Sequence, residues 1–287
     1  MWVDYALRQA ASFAFTLLRL LPLQRNNRSA GPIIPATGPC LISLTSHGKR
    51  LRTVHYTIES LAKGAVKAPI ELWLDPEDYD AEWPAPLQRL AARGLRIRRS
   101  DGHYGPHTKY WGAFREVVGT GTTVVTVDDD MIYPVWFLQR LLYVAALRDD
   151  IVVAYRAHRI ELRDGALLPY VKWSACNSCA PSVLHFATGV SGVLYPPSLI
   201  DYVVRQGDVF MQLCPTADDV WLHACELRSH HRVRQAYAQP RAFALVPAFR
   251  LTGLVRGNLT GGNDQQINRV YTAQDIAMLM EASAEQD

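Results

Sequence analysis

The chain has 287 residues, of which 49% are hydrophobic and 20% are charged, and its formal net charge is +3. A chain of this length can bury a full core, and this composition is typical of a globular protein. The small net charge gives no reason to expect a nucleic-acid partner. Its five cysteines are too sparse for a disulfide framework, so we expect a reducing, cytoplasmic compartment.

The first 25 residues have the pattern of an amphipathic helix. Polar residues interrupt the apolar ones too often for a membrane span, which needs about 18 consecutive apolar residues. On a helical wheel the polar residues gather on one narrow side, which is typical of a helix lying in a membrane interface. The alternative is a helix packed on its own domain or on a partner. Residues 26–39, rich in Asn, Ser, Gly and Pro, are predicted to be a linker.

Strands and helices alternate from Cys40 onward. The predicted strands are Cys40–Leu44, Ile70–Leu74, Leu95–Arg98, Val124–Val127 and Ile151–Tyr155. The predicted helices are Thr53–Lys63, Pro86–Arg93, His107–Val118, Val135–Leu147, Leu199–Gln206 and Ala217–Arg228. This order predicts an α/β fold of right-handed βαβ units with a mostly parallel sheet, followed by a looser region that begins at Arg156.

Three consecutive aspartates, Asp128, Asp129 and Asp130, follow the strand predicted at Val124–Val127. In open α/β sheets, ligands bind at this end of the strands. Because side chains alternate along an extended chain, Asp128 and Asp130 project to the same side, where two hard oxygen donors suit Mg²⁺ or Mn²⁺. The alternative is a solvated acidic turn, since aspartate favours turns. We prefer the metal site, because the preceding strand is an apolar, β-branched run typical of a buried parallel strand.

The chain resembles bacterial glycosyltransferases of the GT-A fold, which use nucleotide sugars in polysaccharide assembly. The resemblance covers roughly residues 40–270 and depends on Val124–Pro134 as the DxD segment, the glycine-containing Thr188–Pro197, and the acidic helix start at Asp218–Trp221. It implies one catalytic domain over residues 40–270, with a Rossmann-like, mostly parallel sheet flanked by helices and a looser acceptor-side region. Residues 271–287 would then form a C-terminal helix or tail.

The resemblance also implies roles for single residues. Asp130 would hold the divalent ion, Asp128 would contact the ion or the donor ribose, and Asp129 would face the other way and help to position the donor. The nucleotide base and ribose are expected at the end of the first strand, at Thr45, Ser46, His47 and Arg50. Asp75, after the second strand, would accept a hydrogen bond from a base or ribose hydroxyl. Lys109, at a helix start, would meet a phosphate, or is simply a surface lysine.

Asp218 and Asp219 are the candidate catalytic bases. In an inverting transfer, a carboxylate takes the proton of the acceptor hydroxyl as this hydroxyl attacks the anomeric carbon. The second residue of the acidic pair is the base in related enzymes, so we prefer Asp219 and place Asp218 next. The alternative for Asp218 is a helix N-cap.

The sequence therefore predicts a metal-dependent, inverting glycosyltransferase that uses a nucleoside diphosphate sugar, by family preference a UDP-sugar. Its acceptor would be a glycan or a lipid-linked sugar, and an interfacial N-terminal helix would place it on the inner face of the cytoplasmic membrane. The segment Gly257–Asp264 is predicted to be a mobile loop that closes over the donor. One alternative is a nucleotidyl- or phosphotransferase, although the sequence has no GxxxxGK[ST] phosphate loop. Another is a non-catalytic carbohydrate-binding protein on the same fold.

Overall fold

The structure, a computed structural model, describes residues 18–148, 150–246 and 262–285. Its strands are β1 (Leu41–Thr45), β2 (Ile70–Leu74), β3 (Arg96–Arg99), β4 (Val124–Thr126), β5 (Met131–Ile132), β6 (Ile151–Ala154), β7 (Ala157–Arg159), β8 (Leu162–Arg163), β9 (Ala166–Leu167), β10 (Ser174–Ala175), β11 (His185–Ala187), β12 (Val193–Tyr195), β13 (Arg232–Gln235) and β14 (Ala244–Leu245). Seven of them form the central sheet, in the order β13-β6-β12-β4-β1-β2-β3.

The central sheet is mostly parallel. Strand β1 pairs in parallel with β2 and β4, β2 pairs in parallel with β3, and β6 pairs in parallel with β13. Only β12 runs the other way within this sheet, between β4 and β6. The prediction of a mixed, mostly parallel α/β fold is therefore confirmed. The position of the antiparallel β12 did not follow from the sequence, because no local pattern specifies which strands a segment will pair with.

Helices cover both faces of this sheet. They are α1 (described from 18 to 27), α2 (Val54–Ala62), α3 (Pro76–Asp80), α4 (Ala85–Ala91), α5 (Thr108–Val117), α6 (Phe137–Ala145), α7 (Pro197–Arg205), α8 (Phe210–Leu213), α9 (Asp218–Arg228), α10 (Asn263–Val270) and α11 (Ala273–Ala284). Short 3₁₀ turns lie at Gly48–Arg52, Gly105–His107 and Tyr170–Lys172.

Two separate apolar cores lie on the two faces of the sheet. Along β4, Val124 belongs to the core that includes α5, α7 and α9, and Val125 belongs to the core that includes α2, α4 and α6. Both valines are fully buried. This alternation explains why the strand is continuously apolar: each residue of a parallel strand faces one of two covered sides.

The strand order creates a crevice between β1 and β4. From β1 the chain continues outward to β2 and β3, whereas β4 lies on the opposite side of β1. Connections that leave two adjacent parallel strands in opposite directions separate at the strands' carboxyl ends, and ligands of open α/β sheets bind there. The residues that follow Thr45 and Thr126 therefore border the crevice.

The described end of α1 packs on the domain. Leu20 and Leu23 contact a small apolar cluster with Ile132 and Val246, whereas Leu18 and Leu21 are 66% and 64% exposed. The following segment is also attached, since the backbone amides of residues 33 and 34 donate to the carbonyl of Arg93. No helix within the described residues is long and apolar enough to cross a membrane. Residues 1–17, and most of the loop predicted at Gly257–Asp264, lie outside the described residues.

Beyond β6 the chain forms smaller sheets. Strand β7 pairs antiparallel with both β10 and β11, so that a three-stranded sheet lies next to the carboxyl end of β6. Predicted element boundaries in the first half agree with the structure to within a few residues. The less regular region after Arg156 consists of two-residue and three-residue strands, which are too short to give a period in the sequence.

Candidate functional site

Asp129 connects the carboxyl ends of β1 and β4. Its carboxylate is 7% exposed and accepts hydrogen bonds from the Ser46 hydroxyl at 2.5 Å and from the Arg50 Nε at 2.9 Å. A second Arg50 nitrogen pairs with its other oxygen. The Thr57 hydroxyl donates to its backbone carbonyl at 2.8 Å. Ser46 and Arg50, which were predicted to meet a nucleotide, therefore bind Asp129 within the protein.

Asp128 and Asp130 lie beside the buried carboxylate of Asp129 and border the crevice. Their side chains are 28% and 27% exposed. The pKa of Asp130 is raised to about 6, chiefly by burial and next by the charge of Asp128, while Arg50, 3.1 Å away, opposes the rise. The backbone amide of Asp128 donates to the Tyr133 hydroxyl at 3.1 Å, which fixes the turn. The two carboxylates thus repel each other in a half-buried place, and a cation would relieve this repulsion.

The donor set fits a hard divalent cation. Within residues 18–148, 150–246 and 262–285, no group of three or more His, Cys, Asp or Glu side chains is arranged to hold a metal. Two carboxylates would therefore leave the other coordination positions to water and to ligand oxygens. Mg²⁺ keeps several waters and binds through one or two carboxylates plus phosphate oxygens, so Asp128 and Asp130 match that chemistry.

Lys109 lies inside the site. Its side chain is 9% exposed, and its ammonium nitrogen is 2.8 Å from Asp218 and 3.4 Å from Asp128. Burial alone would lower the pKa of this lysine, but the charges of Asp218, Asp128 and Asp219 raise it well above its usual value. A lysine at the start of α5 was predicted to meet a phosphate or to lie on the surface. In the structure it instead joins the strand-end aspartates to the acidic start of α9.

Asp219 is the accessible member of the acidic pair at the start of α9. Asp218 is 7% exposed, whereas Asp219 keeps more of its surface open and accepts a hydrogen bond from the Gly189 amide at 2.9 Å. Burial raises the pKa of Asp219 to about 7, and the charge of Asp218 adds to this rise while Lys109 opposes it. A carboxylate of this pKa is suited to accept a proton near neutral pH.

The absence of a side chain at Gly189 lets Lys109 and Asp219 approach its backbone closely. A Cβ atom on this residue would lie 2.6 Å from the ammonium nitrogen of Lys109 and 3.1 Å from a carboxylate oxygen of Asp219. Atoms of these kinds do not approach a Cβ so closely, so any side chain would displace Lys109. Gly189 belongs to the segment Thr188–Pro197 named from the sequence. Its role depends on the approach of Lys109 and Asp219, which are distant from it in the chain.

The remaining predicted residues lie at the outer part of the crevice. The Thr45 hydroxyl donates to the carbonyl of Trp73 at 2.9 Å, and His47 is exposed. Asp75 follows β2 with its side chain 28% exposed, 3.7 Å from a ring nitrogen of His103. These positions border the ends of β1 and β2, on the opposite side of β4 from α9.

Solved structures of similar arrangement include a mannosyltransferase. PcManGT from Pyrobaculum calidifontis, solved in complex with GDP-Man and Mn²⁺, is 14% identical with a TM-score of 0.54, and the match covers 96% of this chain and 78% of that one. TarS 1–349 from S. aureus is 14% identical with a TM-score of 0.46, over 71% of this chain and 59% of that one. The 4-diphosphocytidyl-2C-methyl-D-erythritol synthase from Anaerococcus prevotii DSM 20548 is 12% identical with a TM-score of 0.49, over 82% and 98%. No protein-family model and no curated protein matches the sequence.

At these identities the likeness concerns the fold alone. The chain spans 59% of the length of the TarS chain that it matches. The match to the mannosyltransferase extends over nearly the whole of this chain, and it agrees with the mixed, mostly parallel sheet flanked by helices. The chain therefore has a GT-A-like, Rossmann-like fold.

Proposed function

We propose that the chain is a metal-dependent glycosyltransferase that moves a sugar from a nucleoside diphosphate sugar to a hydroxyl group of a glycan or lipid-linked acceptor, with inversion. The observation that supports this most is the meeting of two acidic segments in one crevice. Asp128 after β4 and Asp218 at the start of α9 both lie within 3.4 Å of the Lys109 ammonium group. This proximity supports a cation-binding pair and a proton acceptor that act on one reacting centre.

Asp128 and Asp130 would hold Mn²⁺ or Mg²⁺. When bound, such an ion neutralises the negative charge that develops on a leaving nucleoside diphosphate. Asp129 takes no part in this contact, because its carboxylate is buried against Ser46 and Arg50. It holds the ends of β1 and β4 at a fixed distance, so that its two neighbours stay aimed at the crevice.

Asp219 would take the proton of the acceptor hydroxyl. The Gly189 amide fixes one of its oxygens, which leaves the other for the hydroxyl. Lys109 pairs with Asp218, and its positive charge opposes the rise in the pKa of Asp219 that burial and the charge of Asp218 cause. Asp218 is thus a supporting residue, and Asp219 is the base of choice.

The nucleoside would occupy the ends of β1 and β2. Thr45, His47 and Asp75 border this part of the crevice, and the Asp75 carboxylate, 28% exposed, would accept a hydrogen bond from a ribose or base hydroxyl. A UDP-sugar is the first donor to test. The chain would work in the cytoplasm as a peripheral protein of the membrane, with the exposed Leu18 and Leu21 next to the N-terminal residues that the sequence predicts to lie in the interface.

A thermal-shift screen of nucleoside diphosphate sugars, with and without Mn²⁺, tests the proposal directly. A ligand that binds only the native state raises the melting temperature, by an amount equivalent to about 2.7 kcal/mol at a hundred times its dissociation constant. We expect one nucleotide to stabilise the protein in a Mn²⁺-dependent way and a labelled donor to yield a glycosylated acceptor. If no nucleotide sugar stabilises the protein under either condition, the proposed function is wrong. Release of pyrophosphate instead of a nucleoside diphosphate would point to nucleotidyl transfer.

A further inference from the structure

A second cation, Arg156, borders the crevice beside the proposed base. Strand β12 is antiparallel to both β4 and β6, so β4 and β6 point the same way and Arg156, after β6, lies at the same edge of the sheet as Asp128. The carbonyl of Arg156 accepts hydrogen bonds from the amide of Thr188 at 3.1 Å and from its hydroxyl at 3.3 Å. The next amide along the chain, that of Gly189, donates to Asp219. Thr188 and Gly189 therefore link the backbone of Arg156 to the carboxylate of Asp219.

No residue that the structure describes neutralises the charge of Arg156. Its side chain is partly exposed, and it forms no hydrogen bond or ion pair with any residue that the structure describes. Arg50, Arg93 and Arg228, by contrast, each pair with a carboxylate. An arginine without a partner at the edge of a crevice can bind an anionic ligand at a small cost of desolvation, since guanidinium is weakly hydrated.

The aromatic side chain of Tyr170 lies in this region, where the charges of both Arg156 and Asp219 act on it. The ring of Tyr170 packs against those of His158 and Trp173, with centroids 5.6 and 5.2 Å away. The pKa of Tyr170 is raised to about 12, chiefly by burial and next by the charge of Asp219, while the charge of Arg156 opposes the rise. Both charged groups are thus near the same phenol, which gives this part of the crevice an aromatic wall.

The strand order places Arg156 on the acceptor side. The nucleoside residues lie at the ends of β1 and β2, whereas β6 is separated from β4 by β12 on the opposite side. At about 4.8 Å between neighbouring strands, Arg156 is about 10 Å from the end of β4, away from the nucleoside. An anion bound at Arg156 would therefore belong to the molecule whose hydroxyl meets Asp219 and not to the nucleoside.

We propose that Arg156 binds an anionic group of the acceptor, so that the acceptor is a sugar carrying a phosphate or a carboxylate near the attacked hydroxyl. This inference rests on the proposed function and adds the chemical class of its acceptor. A guanidinium group matches both anions with two parallel hydrogen bonds, which fix the orientation of the ligand as well as holding it. The anion would set the sugar ring beside Tyr170 and its hydroxyl at Asp219.

Binding to the full-length protein, saturated with the stabilising nucleoside diphosphate and Mn²⁺, tests this inference. The probes are methyl glucoside, glucose 1-phosphate and methyl glucuronide, titrated calorimetrically. We expect at least one charged sugar to bind wild-type protein about tenfold more tightly than the neutral one, because hydrogen bonds between charged groups are about twice as strong as neutral ones. The stronger of the two charged probes identifies the anion.

Three variants decide whether Arg156 is the cause. Arg156→Gln should remove the preference for the charged sugar, and Arg156→Lys should keep part of it. In Arg156→Gln the affinity for the nucleoside diphosphate should stay within about twofold of wild type. Arg159→Gln is the matched control: it removes the same charge from β7 but on the alternate face, opposite Ser174 and His185, so the preference should persist.

Several results would overturn the inference. One is equal binding of all three sugars to wild-type protein. Others are an equal loss in Arg159→Gln, or an Arg156→Gln variant that weakens the nucleotide instead of the charged sugar. A protein that binds no nucleoside diphosphate loses both proposals, whereas one that binds it without any preference for charged sugars loses this one alone.

Discussion

The ammonium nitrogen of Lys109 lies 2.8 Å from a carboxylate oxygen of Asp218, although the two residues are more than one hundred positions apart in the chain. The same nitrogen is 3.4 Å from Asp128. A single buried cation therefore joins the strand-end aspartates to the acidic helix start. This contact makes one site from two segments that each contain an excess of negative charge.

Replacing Asp130 should separate metal binding from folding. In Asp130→Asn we expect the Mn²⁺-dependent affinity for the nucleotide to fall at least about tenfold, because one of two carboxylate donors is lost. The melting temperature without ligand should stay equal or rise, since Asp128 and Asp130 repel each other. Asp80→Asn, at an exposed ion pair with Arg99, is the matched control and should leave nucleotide binding unchanged. Unchanged Mn²⁺-dependent binding in Asp130→Asn would rule out this site.

Asp129 should behave in the opposite way. Asp129→Asn removes a buried carboxylate that accepts hydrogen bonds from Ser46 and Arg50. Hydrogen bonds to charged groups contribute about 1.5–3 kcal/mol, so we expect a loss of about 2 kcal/mol in the free energy of unfolding. Chemical denaturation of this variant beside Asp128→Asn makes the test. Equal stability of the two variants would contradict the division of roles within the three aspartates.

The raised pKa of Asp219 predicts that the rate of transfer depends on pH. Its pKa is raised to about 7, chiefly by burial, and only the ionised form can accept a proton. The value of kcat/KM should therefore rise about tenfold per pH unit below about 7 and level off above it. Asp219→Asn should reduce transfer by about a hundredfold or more at every pH while nucleotide binding persists. Asp218→Asn offers the comparison, and a larger loss there would make Asp218 the base.

Gly189→Ala tests whether the position of Lys109 matters for catalysis. The new methyl group would lie 2.6 Å from the lysine nitrogen, so the ammonium group must move away from Asp218. We expect transfer to fall by about tenfold or more, with nucleotide binding retained. Lys109→Met should have a similar effect, and the double variant should be no worse than Lys109→Met alone, because both changes remove one interaction. Additive losses would show that Gly189 acts through another contact.

The raised pKa of Glu226 predicts that the stability of the protein depends on pH. It lies two turns after Asp219 on α9 and is buried, with one carboxylate oxygen lacking a partner among the described residues. Burial raises its pKa to about 8 from 4.5, and the charge of Asp219 adds to the rise. The unfolded chain therefore ionises first as the pH rises, so wild-type protein loses stability between about pH 4.5 and 8.

Glu226→Gln removes this loss, because glutamine does not ionise. Each unit by which the pKa is raised corresponds to about 1.4 kcal/mol, so the effect is measurable even if it is smaller than the full shift. We expect the melting temperature of the variant, relative to wild type, to increase from pH 4.5 to pH 8. A constant or decreasing difference over this interval would contradict a neutral Glu226 in the native protein.

The strands and helices of the first half followed from local patterns, and so did the expectation that a ligand binds at the carboxyl ends of the strands. Val124 and Val125 are both apolar because each faces a covered side, and this is visible in the sequence as a continuous run. The position of the aspartates after that run placed a charged group at the ligand-binding end of a parallel strand. These features depend on neighbours in the chain, which a sequence contains directly.

The partners of individual side chains depended on the tertiary structure. Lys109 looked like a surface or phosphate-binding residue, yet it is buried between Asp128 and Asp218. Nothing near it in the sequence indicates this, because both carboxylates arrive from other elements. No sequence pattern indicated a role for Arg156, since that role depends on the direction of β6 and on the lack of a side-chain partner among the described residues. The sequence by itself determined an α/β fold with carboxylates at a strand end. Only the packing of α5 and α9 on one face of the sheet decided which charges meet, since electrostatic pairing depends on distance in space and not on separation along the chain.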